Sequence, residues 1–323
     1  STSGGFYDKN WTTCDNWPNS PYYGNCYTQW DDAYAGNAFY MSTSSDGGLT
    51  WGARKSAGGN TGGLGGMPTV LPNGRVIVPA WSVNGKIIFF GSLNGGASWT
   101  RAKAITTISQ HTVAGGLRVP FAIPSADVDG NGTMYLVWND CRFRTNCSSN
   151  DIVMTTSTNG GRWSSVVRIP IDSATSGVDH FLPGIAAMGN GLLGLVYYYY
   201  PNANCSAATC QLYVGYVSSA DGGATWSAPQ TLAGPMTIAW IANTSQGRMV
   251  GDYISTSFTT NAAVPIFSNA VAPTGSTFQQ ATATYTGLPL PALDGEYPFA
   301  VRADPVLSLK GDTPVITGPI TLR

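Results

Sequence analysis

The chain has 323 residues, a net charge of −1 and only 10% charged residues. So neutral a balance offers no polyanion-binding surface, and nucleic acid is not an expected partner. Forty glycines and an aromatic share of 11% favour many short strands and tight turns over helices.

No stretch shows helical periodicity over a useful length, and no apolar run is long enough to cross a membrane. One octapeptide recurs instead. Ser44-Ser45-Asp46-Gly47-Gly48-Leu49-Thr50-Trp51 is copied in full at Ser219–Trp226 and with conservative changes at Ser92–Trp99; a copy one residue short stands at Ser157–Trp163. The Asp or Asn positions lie 48, 65 and 62 residues apart. A period of that size marks an array of supersecondary units. Within each copy the acid or amide accepts backbone N–H groups just ahead, the glycines supply positive φ, and the Trp anchors the hairpin. The motif is structural, and its Asp residues are not candidates for catalysis.

The rest follows one grammar of strand, turn, strand, loop, strand, octapeptide, strand. The first unit runs through 11–15, 26–30, 38–42 and 52–56. The second uses 68–71, 75–81, 86–91 and 100–105, and the third 124–128, 133–138, 151–156 and 164–169. The fourth uses 184–188, 192–198, 211–217 and 227–232. A fifth unit without the octapeptide spans 240–242, 249–255, 264–270 and 278–285. The tail, at 299–301, 305–309 and 314–322, completes a sixth, with the N-terminal residues as a further contributor. The expectation is an all-β propeller of four-stranded antiparallel blades in a single domain, 1–323, with six blades and five or seven as alternatives. The octapeptides and the short first-to-second turns mark one face. The long loops 31–37, 57–67, 105–120, 139–150, 170–184, 200–210 and 286–298 mark the other, where binding residues belong.

Six cysteines fall into local couples, Cys14 with Cys26, Cys141 with Cys147 and Cys205 with Cys210. Six allow fifteen pairings, and proximity favours this one over six unpaired thiols. Disulfides imply a secreted protein. The chain starts without a signal peptide, which reads as a processed end. Asp127-Val128-Asp129-Gly130-Asn131-Gly132 matches the opening of a calcium loop, but its twelfth position is Trp138 rather than Glu. It reads as a plain turn. No metal or cofactor is expected, with structural calcium as the minor alternative.

The chain's single Glu, both His and several of its Arg fall on the long-loop face. Candidate catalytic residues are Asp32, His111, His180, Glu296 and Tyr297; candidate substrate-binding residues are Arg118, Arg142, Arg144, Arg302 and Tyr198. Each has a plainer role open to it. Asp31 and Asp32 end a strand, Asp179-His180 caps a loop, Arg142 and Arg144 bind carbonyls around a disulfide, and the run Tyr197 to Tyr200 alternates between packing and surface.

The repeated octapeptide resembles the Asp box of the sialidase superfamily, and the chain is most similar to secreted bacterial members of unassigned activity. The resemblance implies three arginines on a substrate carboxylate, a Tyr–Glu nucleophile pair and an Asp acid/base. Arg118, Arg142 or Arg144, and Arg302 would supply the first, Tyr297 with Glu296 the second, and Asp32 the third. The family's Arg-Ile-Pro motif precedes its first Asp box, whereas Arg118-Val119-Pro120 follows the second box here. Three functions stay open. The first is an exo-acting glycoside hydrolase on an acidic sugar, which needs two carboxyls about 5–10 Å apart or a Tyr in place of one. The second is a polysaccharide lyase on a uronic acid, with His or Tyr moving the proton. The third is a non-catalytic carbohydrate-binding propeller. The expected partner is an oligo- or polysaccharide, and the expected state a monomer.

Overall fold

The computed structural model describes residues 4–259, 262–285 and 287–290, together with the backbone of 306–310 and 313–317. Its first unit is β1 (Tyr7–Cys14), β2 (Cys26–Asp32), β3 (Ala38–Ser44) and β4 (Lys55–Leu64). The second is β5 (Thr69–Val70), β6 (Val76–Ser82), β7 (Lys86–Ser92) and β8 (Lys103–Thr107). The third is β9 (Ser125–Val128), β10 (Met134–Asp140), β11 (Asp151–Ser157) and β12 (Val167–Arg168). The fourth is β13 (Asp179–Met188), β14 (Leu192–Tyr200), β15 (Gln211–Ser219) and β16 (Gln230–Thr237). Within each unit consecutive strands pair antiparallel, and the end of β4 runs on to pair with β6. These are propeller blades. β1 is blade 1's own first strand, so the N-terminal residues are used there.

All four octapeptides join the third strand of a blade to the fourth. In the complete copies the leading Ser hydroxyl accepts the N–H of the second glycine, at 2.8 Å for Gly48 and 2.9 Å for Gly96 and Gly223. Asp46 and Asp221 accept the N–H and hydroxyl of Thr50 and Thr225. Those bonds hold the Asp46 carboxyl down at about 2, with the Ser44 hydroxyl contributing most. In the short copy Gly160 takes the place of the second glycine, donating to the Ser157 hydroxyl at 2.9 Å. The three cysteine couples are all disulfides.

The fifth unit departs from the expected grammar. Trp240–Ala242 is not a strand; a 3-10 turn occupies Ile238–Trp240, followed by a small hairpin of β17 (Asn243–Thr244) and β18 (Gly247–Arg248). Met249–Ser255 is not a strand either. The Arg118 N–H donates to the Arg248 carbonyl at 2.7 Å, and Gly251 adopts φ 96°, so the backbone is diverted before β19 (Ser255–Phe258) begins. β20 (Ala262–Thr274) then pairs with β19, β21 (Thr277–Thr284) and β22 (Leu288–Pro289). The tail contributes a hairpin of β23 (Val306–Lys310) and β24 (Thr313–Thr317). The expected strand at Phe299–Val301 lies outside the described residues.

Strand alternation sends one side of each sheet to the preceding blade and the other to the next. Tyr27, Phe39 and Met41 of blade 1 meet Val76, Val78 and Phe90 of blade 2. Ile87 meets Leu136 and Trp138 between blades 2 and 3. Val137 and Ile152 meet Ile185 and Leu195 between blades 3 and 4, and Val196 and Val214 meet Ala263 and Phe267 between blades 4 and 5. Each such fully buried side chain contributes about 1.5–3 kcal/mol.

Candidate functional site

The last residue of each of the first three second strands caps the turn that follows. The Asp32 carboxylate accepts Tyr34 N–H at 3.1 Å, the Ser82 hydroxyl accepts Asn84 N–H at 3.3 Å, and the Asp140 carboxylate accepts Arg142 N–H at 2.9 Å. Asp32 also accepts Phe6 N–H at 3.0 Å. Both bonds fall on Oδ1, which ties that oxygen to backbone.

Asp31 is the exception in this pattern. One residue earlier, its side chain points to the other face of β2, where Trp81 and Asn139 stand in blades 2 and 3. It is 0% exposed, and neither carboxyl oxygen has a hydrogen-bond partner. Its register partner on β1 is Asp8. Burial pushes the Asp31 carboxyl up to about 7; Asp8 adds to the shift and Lys9 opposes it. A carboxyl that keeps its proton near neutrality is equipped as a general acid.

Cations stand beside it. β1 carries an irregularity between Asp8 and Trp11, and Lys9 within it adopts φ 53°. The Lys9 ammonium pairs with Asp8 at 3.2 Å and with Asp252. Arg118 donates to Asp252, and its Nε donates to Gln246 at 2.8 Å. Tyr253 lies against Trp11 with ring centroids 5.4 Å apart. Burial, then Asp252, Asp31 and Asp8, push its hydroxyl up, so Tyr253 keeps its proton and offers a hydrogen bond only. Beside these groups opens a concavity of about 650 Å³ lined by Tyr7, Asp8, Lys9, Trp30 and Arg54. Lys9, Asp252 and Arg118 thus form an ion-pair chain that ties blade 1 to the loop before blade 3 and the segment before β19, while the concavity itself is lined by blade 1 alone, with Asp31 behind it on β2. Asp252 is one of the carboxyls the sequence offers for hydrolysis, whereas Asp8 and Lys9 were not among the sequence candidates. Asp8 and Lys9 fall just ahead of the first expected strand, in a bulge that breaks alternation.

The other candidates sit elsewhere. His180 is 2% exposed between blades 3 and 4, its ring edge-on to Tyr197 at 5.5 Å, and burial pulls it down to about 4. Its neighbour Asp179 accepts from the Asn150 backbone and side-chain N–H groups at 2.7 and 2.8 Å, and burial raises it to about 6. Nδ1 of His111 lies 3.0 Å from the Cys147 carbonyl, and Asn150 bonds the His111 backbone. Arg142 binds Asp140 at 2.7 Å and the Thr107 carbonyl at 2.5 Å. Arg144 is buried among Asp151 at 2.6 Å, Asp172 at 2.8 Å and the Ser173 carbonyl at 2.8 Å. Both arginines thus hold the disulfide-closed loop in place. The Tyr198 hydroxyl donates to the Ser268 carbonyl and accepts its N–H, each at 2.8 Å, joining blade 4 to blade 5. Glu296, Tyr297 and Arg302 lie outside the described residues.

Asp151, Asp172 and His180 bring donor atoms within 4.8 Å of one another, a spacing that suits a cation. Arg144 and Arg168 already supply two positive charges there, so the cluster is an ion-pair network. The loop at 127–132 is likewise self-satisfied. Asp129 accepts Asn131 and Thr133 N–H at 2.9 Å, and Asp127 accepts Ala187 N–H at 2.8 Å.

No protein-family model and no curated protein matches the chain. Solved structures do. An α-L-arabinanase from Penicillium chrysogenum, complexed with arabinobiose, is 15% identical with a TM-score of 0.53, covering 90% of this chain and 80% of its own. The GH93 α-L-arabinofuranosidase of Fusarium graminearum is 18% identical with a TM-score of 0.52, covering 80% and 73%. A protein of unknown function from Dyadobacter fermentans is 12% identical with a TM-score of 0.53, covering 88% and 79%. At these identities the likeness establishes the propeller fold.

Proposed function

We propose that the protein is a secreted, glycan-active glycoside hydrolase, exo-acting on an acidic sugar, with its reaction centre at Asp31. The observation that carries this reading is a buried, unpartnered carboxyl held protonated to about pH 7 beside a second carboxylate, Asp8. Asp31 gives its proton to the glycosidic oxygen as the bond from that oxygen to the anomeric carbon breaks. Asp8 takes a proton from the water that adds to that carbon, so hydrolysis balances. Arg118 and Lys9 receive the sugar carboxylate in exchange for Asp252. Asp31 is preferred to Asp32, the acid/base suggested by resemblance, because Asp32 Oδ1 holds two backbone N–H groups.

The lyase reading relies on His111, His180 or a tyrosine as base. His180 is enclosed between blades, His111 is bound to a carbonyl and Tyr253 holds its proton, so hydrolysis fits the geometry better. Two fold neighbours are named as arabinan-type hydrolases, which makes arabinan a necessary member of any substrate panel. Three disulfides suit an oxidising compartment, and among the described residues no helix is long and apolar enough to cross a membrane. The test is digestion of a glycan panel containing sialosides, uronic-acid oligomers and arabinan, read by new reducing ends and by ultraviolet absorbance. Reducing ends without absorbance, lost in Asp31→Asn, are expected. Unsaturated products, or full activity in Asp31→Asn, would refute the assignment.

A further inference from the structure

The apolar seam between blades 1 and 2 takes in two polar side chains. β2 pairs with β3 without a break in register, so Tyr27, Gln29 and Asp31 share a face, opposite Thr43, Met41 and Phe39. Tyr27, Met41 and Phe39 pack with Val76, Val78 and Phe90 of blade 2. Gln29 and Asp31 therefore enter the same seam, on the side of β2 that blade 2 covers. Both are fully buried. Among the described residues, neither amide atom of Gln29 and neither carboxyl oxygen of Asp31 has a hydrogen-bond partner.

The fold does not require an amide at this position. Aligned on the capping residues Asp32, Ser82 and Asp140, Gln29 falls in line with Pro79 and Val137, both buried. A buried amide left unpaired costs about 1–3 kcal/mol, a cost that an apolar side chain avoids. The amide is nevertheless given room. A Cβ on Gly66, in the chain entering blade 2, would fall 2.6 Å from Gln29 Cδ and 2.7 Å from Oε1. The octapeptide turns use bare glycine in the same way against the preceding blade. A Cβ on Gly96 would meet Thr43 at 2.1 Å, one on Gly160 would meet Ile77 at 2.5 Å, and one on Gly223 would meet Met154 at 2.5 Å.

Positions two apart on one strand face are separated by about 7 Å, a span that one water bridges when a long side chain reaches toward a short one. A buried water takes two to four polar partners, and these two side chains offer four open atoms. The groups that act on Asp31 by charge are Asp8 and Lys9 of β1 and Asp32 beside it; Tyr253, before β19, is near enough to feel Asp31 in turn. Its partner on β3 is Phe39, and blade 2 brings Val76, Val78 and Phe90 to the seam. An acid that releases its proton there leaves a buried charge, and a donor must meet it.

We propose that Gln29 and Asp31 hold an ordered water between them in the blade 1–2 seam, and that Gln29 is a positioning residue for the Asp31 proton. The amide N–H and the water supply the donors that ionised Asp31 needs, and the amide oxygen accepts from the water. The role in proton transfer rests on the hydrolase reading; the water site does not.

Gln29→Leu places an apolar side chain where blades 2 and 3 already have one. Carboxyl 13C labelling of aspartate, with the Asp31 signal assigned by its loss in Asp31→Asn, follows this titration without substrate. In Gln29→Leu the midpoint should rise by at least about one pH unit, a tenfold change in proton affinity, because burial then acts unopposed by the amide. Gln29→Asn keeps the amide and should hold the native midpoint. In the native protein the Gln29 amide protons should give a cross-peak to a slowly exchanging water. An unmoved midpoint in Gln29→Leu, an equal rise in Gln29→Asn, or no such cross-peak would overturn the inference; if Gln29→Leu does not fold, the cross-peak and the Gln29→Asn midpoint decide it. The alkaline limb of hydrolysis should follow the midpoint. A midpoint that moves while that limb stays would leave the water site standing and refute Asp31 as the acid.

Discussion

Replacing Asp31 by Asn removes an ionisable group that the fold encloses without a partner, and the effect on stability can be worked out. The folded chain keeps the Asp31 proton up to about 7, against an ordinary value of 3.8. Between those limits the unfolded chain has released a proton that the folded chain retains. Stability therefore falls as pH rises through this window, by about 1.4 kcal/mol per pH unit. Over roughly three units the loss reaches about 4 kcal/mol, and it levels off above pH 7, where both states are ionised. Asn is nearly isosteric and has no proton to lose. Asp31→Asn should match the native protein at about pH 4 and exceed it by up to about 4 kcal/mol at about pH 7.5. Urea unfolding at several pH values, read as the midpoint at constant m, measures this difference. Other titrating groups cancel between the two proteins. Parallel stability–pH curves would show that Asp31 is solvated and ionised in the fold, and would remove the basis for its role as an acid.

Asp32→Ala should behave quite differently, costing about 1–2 kcal/mol at neutral pH through the loss of the Phe6 and Tyr34 N–H acceptor. Its turnover per folded molecule should persist, as an activity assay normalised to native fraction will show. Arg144→Met removes one of the two guanidinium groups that Asp151 and Asp172 share, leaving Arg168, and should cost about 3 kcal/mol in urea unfolding. His180 is held down at about 4 against an ordinary 6.5. The unfolded chain then binds a proton that the folded chain refuses, so stability is lost as pH falls from about 6.5 toward 4, by up to about 3 kcal/mol. His180→Gln should flatten that acid limb in thermal melts; an unchanged limb would place the loss in other groups.

The strand order of the first four blades could be read directly, because a turn that needs paired glycines and a capping acid leaves a fixed residue signature; the bounds could not, since the strand expected at 52–56 with a loop over 57–67 runs instead from Lys55 to Leu64. The cysteine couples were equally legible, since each closes a short loop. Blade 5 has no octapeptide, and its entry is fixed by a long-range bond from Arg118 to Arg248 that no local pattern reveals. Of the site, Arg118 could be read from its loop, and Asp31 only as one of two adjacent acids. Alternation cannot say which of Asp31 and Asp32 faces backbone. Aligning the blades could have, because Asp32 falls in line with the capping Ser82 and Asp140. Lys9 was hidden because positive φ in a lysine is invisible to composition.

The bare glycine contacts at Gly96, Gly160 and Gly223 give the molecule a direction. Each turn rests on a surface made by residues synthesised before it, so a blade leaving the ribosome meets its template already laid down. Damage at one of these glycines would be transmitted upstream, to the older neighbour. Blade 1 has no such predecessor among the described residues, and it is the natural seed from which the others are stacked.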